Sequence, residues 1–282
     1  MNYRHAFHAG NFADIVKHTV LAVLLEALNR KPVPWSYFDS HAGAGVYDLA
    51  AEAATKSNES AGGIGRLWVG RRAAPAPVMQ LCDAVATVNP GLAPGVTPRF
   101  YPGSPMVAAG LARAQDRLVL AELQPHEERV LHDRFRRDPR VAIHLRDGYE
   151  MLKALLPPAE RRGLVLMDPP FEQPEEFSRM LDTLRVAHAR WSMGTYALWY
   201  PMKDVPAVMR FERGLLQSDI RRILLAEFRM APAEVPGFFG CGMAVVNPPW
   251  QSESSLDNAL SFLKDVLAPK TGSHDIRWLV RE

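Results

Sequence analysis

The chain has 282 residues, 48% hydrophobic and 23% charged, which excludes disorder as its main state and suits one large decorated domain. The formal charge of +2 is nearly neutral, although 26 of the 33 basic residues are Arg, a composition that fits either phosphate contact or a GC-biased genome. Two cysteines, Cys82 and Cys241, exclude a disulfide framework or a four-cysteine zinc site, and no apolar stretch approaches the roughly 20 residues needed to cross a bilayer.

The segment Met1 to Phe12 carries His, Arg and Asn where a signal peptide would carry an apolar core, so a reduced, cytoplasmic setting without membrane or metal is expected. From Asn11 to Arg30 apolar residues recur at Phe12, Ile15, Val16, Val20, Val23, Leu24 and Leu28, the period of an amphipathic helix. Asp14, Lys17 and His18 fall together on another face of it, because residues three and four apart are neighbours on a helix. A short strand, Trp35 to Asp39, then runs into the turn His41-Ala42-Gly43-Ala44-Gly45.

Between Ala50 and Arg99 the texture changes to Ala, Gly, Pro and Ser without a clear strand, which reads as an inserted helical subdomain over 50–99. Strand-like runs follow at Arg117 to Leu123, Ala142 to Arg146, Gly163 to Met167, Thr195 to Tyr200, Arg222 to Phe228 and Met243 to Val246. Helical stretches such as Pro105 to Gln115 and Tyr149 to Leu156 separate the first five, the pattern of βαβ units feeding a parallel sheet. The last two are joined by a loop and suggest an antiparallel hairpin at the end. The fold class is therefore α/β.

Chemistry enters where the strands end. Asp39 followed by Gly43 and Gly45 would let backbone approach a ligand, although the spacing is short of a full dinucleotide fingerprint. More specific is Asp168-Pro169-Pro170-Phe171, directly after the apolar run Leu164 to Met167. An adenine amino group is a poor nucleophile because its lone pair is delocalised into the ring. A site that methylates it must pull the nitrogen toward tetrahedral geometry. The Asp168 carboxylate and the Pro169 carbonyl, freed from the sheet by the next proline, each accept one amino hydrogen in this reading, and Phe171 stacks on the ring. Such a grip requires an unpaired or flipped base. The looser copy Asn247-Pro248-Pro249-Trp250 is read as structural, with Trp250 covering apolar surface.

Taken together, these motifs and several others resemble the bacterial 23S ribosomal RNA adenine-N6 methyltransferase J family, whose members methylate adenine 2030. The matching pieces are Tyr3 to Asn11, Lys17-His18-Thr19, Asp39 to Gly45, Tyr101 to Pro105, Asp147-Gly148, Asp168 to Pro170, Thr195 to Pro201 and Asn247 to Trp250. The resemblance implies a Rossmann-like methyltransferase fold, a mostly parallel seven-stranded sheet of order 3-2-1-4-5-7-6. It implies that His18, His41, Ser104, Glu122, Asp147, Gly148 and Asp168 contact S-adenosylmethionine, with Asp168 catalytic. It places Tyr3, His5 and Lys17 near the target base and makes 23S ribosomal RNA the partner. A monomer is the working expectation.

Each residue also has a plainer structural reading. Ser104 before Pro105 reads as a helix N-cap, Asp147 as the cap of the helix starting near Tyr149, and His18 as a satisfied polar residue. His5 and His8 lack further partners at metal-ligand spacing. Arg134, Arg136, Arg137, Arg140, Arg161 and Arg162 are candidate phosphate contacts or a solvated basic face. Phe171 stands where the family often has Tyr, and Gln124 replaces a usual His. A DNA adenine methyltransferase would share the proline motif, an NAD-dependent oxidoreductase would use only the glycine turn, and a silent RNA-binding module would need neither.

Overall fold

The computed structural model describes residues 7–52, 54, 58–93, 95–234 and 237–282, so Tyr3 and His5 lie outside the described residues. Its strands are β1 (Ser36–Asp39), β2 (Val46–Asp48), β3 (Phe100–Pro102), β4 (Arg117–Glu122), β5 (Val141–Leu145), β6 (Gly163–Met167), β7 (Thr195–Met202), β8 (Ile223–Arg229), β9 (Gly240–Val246) and β10 (Ser273–Val280). The α-helices used below are α1 (Phe12–Asn29), α2 (Arg66–Gly70), α3 (Ala76–Thr87), α4 (Ser104–Leu111), α5 (Pro125–Phe135), α6 (Gly148–Leu155), α7 (Glu176–Arg190), α8 (Val205–Leu216) and α9 (Ser252–Leu267).

The main sheet runs β5-β4-β1-β6-β7-β9-β8-β10. Numbered by chain order within that sheet, this is the expected 3-2-1-4-5-7-6 with an eighth strand added beside the sixth. Strands β5, β4, β1, β6 and β7 are parallel, β9 is antiparallel to both its neighbours, and β10 is antiparallel to β8. The seven-strand expectation is corrected on this point, and the β8–β9 hairpin is followed by α9 and β10 instead of ending the chain. Strand β10 escaped notice because it is an edge strand whose Ser-His-Asp-Ile-Arg-Trp-Leu-Val sequence mixes polar and apolar residues on half-buried positions. A three-residue ribbon, β2 with β3, also went unseen, being shorter than any periodicity can register.

Two apolar layers sandwich the sheet. Alternate residues of β6 divide between them: Leu164 and Leu166 join α1, α3, α4 and α9 on one face, while Val165 and Met167 join α6, α7 and α8 on the other. A strand covered on both faces has no solvent side, which is why β6 reads as an unbroken apolar run. Between β2 and β3 the chain forms helical segments including α2 and α3, whose Leu67, Val78, Leu81 and Val85 are buried in the same cluster as α1.

Helix α1 begins one residue after the expected start, capped by Asn11, whose Oδ1 accepts the Asp14 N–H at 3.0 Å. Ser104 is not a cap. Gly103 holds that position, Ser104 is the first helical residue, and its Oγ donates elsewhere.

The two proline motifs end at opposite edges of the sheet. Strand β9 runs against β7, so Val246 pairs with Tyr196 at the amino end of β7, whereas β6 runs with β7 and delivers Asp168 to the carboxyl ends. Asn247 has φ of 50°, and its Nδ2 donates to the carbonyls of Ser192 at 2.8 Å and Gly194 at 2.9 Å. Trp250 is 78% exposed and covers no apolar surface, contrary to its sequence reading. Asn247→Ala removes two bonds and a side chain that tolerates a left-handed backbone better than alanine does. Urea unfolding is expected to show a loss of about 1–3 kcal/mol with unchanged denaturant slope.

Candidate active site

The chain reverses direction across the sheet between β1 and β6, because β4 and β5 lie to one side and β7 to the other. Strand ends separate there, leaving a crevice that α/β sheets use for ligands. A cavity of about 1000 Å³ opens at this place. Its wall includes Lys17 and His18 from α1, Ser40, His41 and Gly43 after β1, and Ser104 at the start of α4. It also includes Glu122 at the end of β4, Asp147 and Gly148 after β5, and Asp168 to Phe171 after β6. The residues the sequence singled out thus converge on one cavity from six segments, Tyr3 and His5 lying outside the described residues.

Lys17 is the focus of the charge arrangement. Its Nζ donates to Asp168 Oδ2 at 2.6 Å and lies 2.8 Å from Asp14 Oδ1, with only 5% of the side chain exposed. Burial lowers the pKa of the ammonium, but the two carboxylates outweigh it and raise the Lys17 pKa well above its ordinary value. Lys17 therefore touches the Asp168 carboxylate directly, in addition to lining the cavity.

Beneath the cavity floor Asp39 is fully buried. Its Oδ2 accepts from Tyr37 Oη and Ser104 Oγ, both at 2.7 Å, and its Oδ1 from the His41 N–H at 3.2 Å. Burial still dominates and pushes its pKa up to about 6. Desolvation also pushes His41 down to about 4, so that its imidazole is neutral at pH 7. Its ring stands edge-on to Tyr149, centroids 5.1 Å apart.

Glu122 is held by backbone: Oε2 accepts the Gly43 N–H at 2.8 Å and Oε1 the Gln124 N–H at 2.7 Å. The Leu123 N–H also bonds this carboxylate, which still has acceptor capacity for a ligand hydroxyl. Asp147 caps α6, as one reading expected, accepting from the N–H groups of Tyr149 at 2.8 Å and Glu150 at 3.2 Å. Its other oxygen faces Arg179 at 3.2 Å. Gly148 has no room for a side chain, since a Cβ there would lie 1.8 Å from the Ser40 carbonyl oxygen. These acceptors, the neutral ring and the close-approach glycine fit the adenosine and ribose of a nucleoside cofactor.

Residues 168–170 project past the end of β6, so the Pro169 carbonyl is outside the ladder. Phe171, at φ of 50°, packs against Phe177 at 4.8 Å and Trp199 at 5.7 Å between centroids, forming an aromatic corner of the cavity. Trp199, Arg179, Tyr149 and Glu176 escaped individual notice. Trp199 sits inside the matching block Thr195 to Pro201 and could have been found there, but Arg179 and Glu176 carry no local signal on α7.

Of the six candidate arginines, Arg140 and Arg162 are engaged within the fold. None of the six lines the cavity. Arg140 is bound to Asp138 at 2.6 Å and to the Ala109 carbonyl, and Arg162 donates to the carbonyls of Leu28 and Val33. Arg161 precedes the amino end of β6, and Arg134, Arg136 and Arg137 lie at the end of α5 remote from its cavity-lining start. Among the described residues no group of three or more His, Cys, Asp or Glu is placed to hold a metal, and no helix is long and apolar enough to cross a membrane.

A family model described as "Ribosomal RNA large subunit methyltransferase D, RlmJ" matches residues 32–280. The chain is 39% identical to "Ribosomal RNA large subunit methyltransferase J" of Escherichia coli (strain K12), and 38% identical to the protein of that name from Haemophilus influenzae. Both alignments run over 284 residues and cover all of each chain. A solved protein of Legionella pneumophila is 32% identical, with a TM-score of 0.88 over 96% of this chain and 98% of that one.

The buried acid gives a pH test. Because the folded pKa of Asp39 lies above its unfolded value, the folded state keeps the proton longer. The native state therefore loses stability as pH rises from about 4 to about 6, by on the order of 3 kcal/mol for a rise from 3.8 to about 6. The Asp39→Asn protein lacks this loss, so its stability relative to the parent, from urea melts at several pH values, is expected to improve across that window and level off above it. Gly148→Ala is expected to weaken nucleoside-cofactor binding at least about 10-fold by calorimetry, because Ser40 and the loop after β5 must separate.

Proposed function

Because the chain belongs to the ribosomal RNA large subunit methyltransferase J family, we propose that it transfers a methyl group from S-adenosylmethionine to N6 of one adenine of 23S ribosomal RNA, adenine 2030 by resemblance. The observation that carries this reading is the Asp168-Pro169-Pro170-Phe171 turn in the wall of the cavity at the sheet's reversal point, with Asp168 Oδ2 already taken by Lys17.

Glu122, Asp147, Gly148, His41, His18 and Ser104 would hold the cofactor, which when bound supplies an electrophilic methyl group on a sulfonium. Glu122 offers lone pairs to ribose hydroxyls, and the glycine lets the backbone come close. Asp168 works on the other reactant. With Oδ2 occupied by the Lys17 ammonium, Oδ1 is left to accept one hydrogen of the exocyclic amine, while the Pro169 carbonyl accepts the other. Two acceptors on one amine draw its lone pair out of conjugation with the ring. Phe171 and Trp199 form an apolar wall against which a base can stack.

Asp168 is not required to strip the amine beforehand, since an aromatic amine is far too weak an acid for a carboxylate. Its charge stabilises the positive charge that grows on nitrogen, and a proton leaves once the nitrogen has become acidic. The target adenine must enter unpaired, because its amino group is engaged in a duplex.

The reading is tested with tritiated cofactor and a 23S ribosomal RNA fragment, mapping the label to a single nucleotide. Label on one adenine N6 is expected. Asp168→Ala is expected to lower kcat by about 10³-fold, while Asn247→Ala stays within about 3-fold of the parent. Preferential labelling of duplex DNA, or full turnover by Asp168→Ala, overturns the assignment.

A further inference from the structure

We infer that Asp14 is a positioning residue of this reaction: it draws the Lys17 ammonium aside so that Lys17 engages one oxygen of Asp168 and leaves the other open to the amine. The inference rests on the reading of Asp168 given above.

The geometry is a row of three charges, carboxylate, ammonium, carboxylate, with the Lys17 Nζ 2.8 Å from Asp14 Oδ1 and 2.6 Å from Asp168 Oδ2. All three side chains line the cavity, with Asp14 4% exposed and Asp168 15%. Asp14 cannot follow the lysine, because its Oδ2 accepts the Gly10 N–H at 3.0 Å and its backbone N–H is held by Asn11 Oδ1 at 3.0 Å. It lies one turn before Lys17 on α1, where an i,i+3 pair meets naturally. The lysine chain is therefore stretched between two anchors on different elements, the amino end of α1 and the turn after β6.

An ammonium has three donors. Facing a single carboxylate in a place that water barely reaches, it would close on both oxygens and cancel the charge. Facing two carboxylates, it is shared, and the row carries a net charge of −1. That surplus lies toward the cavity, where positive charge develops on the amine during transfer. Without Asp14, Lys17 would neutralise the group it now orients.

The inference predicts an effect on turnover that is separate from binding. Asp14→Asn keeps the size of the side chain and removes its charge. It is expected to lower kcat by about 10- to 100-fold, with the KM for RNA and the calorimetric Kd for S-adenosylmethionine within about 3-fold of the parent. Asp14→Glu, which restores the charge, is expected to recover at least half of the lost activity on a logarithmic scale. In a Lys17→Met background, adding Asp14→Asn is expected to cost less than about 3-fold in kcat, because Asp14 acts only through Lys17. Equal kcat for Asp14→Asn and parent overturns the inference, as does a full additional loss in the Lys17→Met background. If Asp14→Asn does not fold, the Glu variant decides, and a kcat as low as that of Lys17→Met overturns the proposal. Failure of the parent protein itself to methylate RNA would instead overturn the functional reading.

Discussion

A lysine ammonium almost out of reach of water sets a strict requirement on what surrounds it: enough negative charge, at hydrogen-bond distance, to replace the hydration it has lost. In this molecule two carboxylates meet that requirement from two elements far apart in sequence, Asp14 on the first helix and Asp168 at the end of a central strand. The consequence is mechanical as well as electrostatic. Helix α1 cannot shift along the sheet without uncovering Lys17, and the turn carrying Asp168 cannot swing without abandoning it. The residues before α1 join the same arrangement through the Gly10 N–H on Asp14. The residues just before α1, the buried helix and the proline turn are thus held in one register.

Around that row the cavity wall carries charge of both signs. Arg179 is engaged with Asp147 and Glu176, Lys203 also lines the wall, and His41 is neutral. The same wall carries carboxylates at Glu122, Asp147 and Asp168. The polar groups are also largely preset. Glu122 is fixed by two backbone N–H groups and Asp147 by the start of α6, so little reorganisation remains for binding.

Two copies of nearly the same motif illustrate why a local pattern does not define a site. Asp168-Pro-Pro and Asn247-Pro-Pro both follow apolar strands and both end in an aromatic residue. One strand is parallel and central, the other antiparallel and two positions away across β7. The first motif therefore opens into the cavity, and the second stitches the amino end of β7 through Asn247 bonds to Ser192 and Gly194. The placement of Trp250 follows from the same reversal. Its side chain is largely exposed.

The sequence alone determined what depends on neighbours along the chain: the α1 period, the buried β6 run, the alternation that makes the sheet parallel, and the chemical types at the strand ends. It also carried enough of a family pattern to order the strands and to name residues that the fold brings to one cavity. What it left open depends on distance through space. That Lys17 bridges Asp14 and Asp168, 151 positions further along the chain, follows from packing α1 against the sheet, and no spacing announces it. The eighth strand was hidden because an edge strand is only half buried and its polar residues break the apolar signal. Arg140 and Arg162 looked like phosphate ligands because composition shows charge but not the carboxylates and carbonyls that the folded chain brings to it. Residue types and periods are local and legible, whereas which charge is answered by which partner is decided only when the sheet closes.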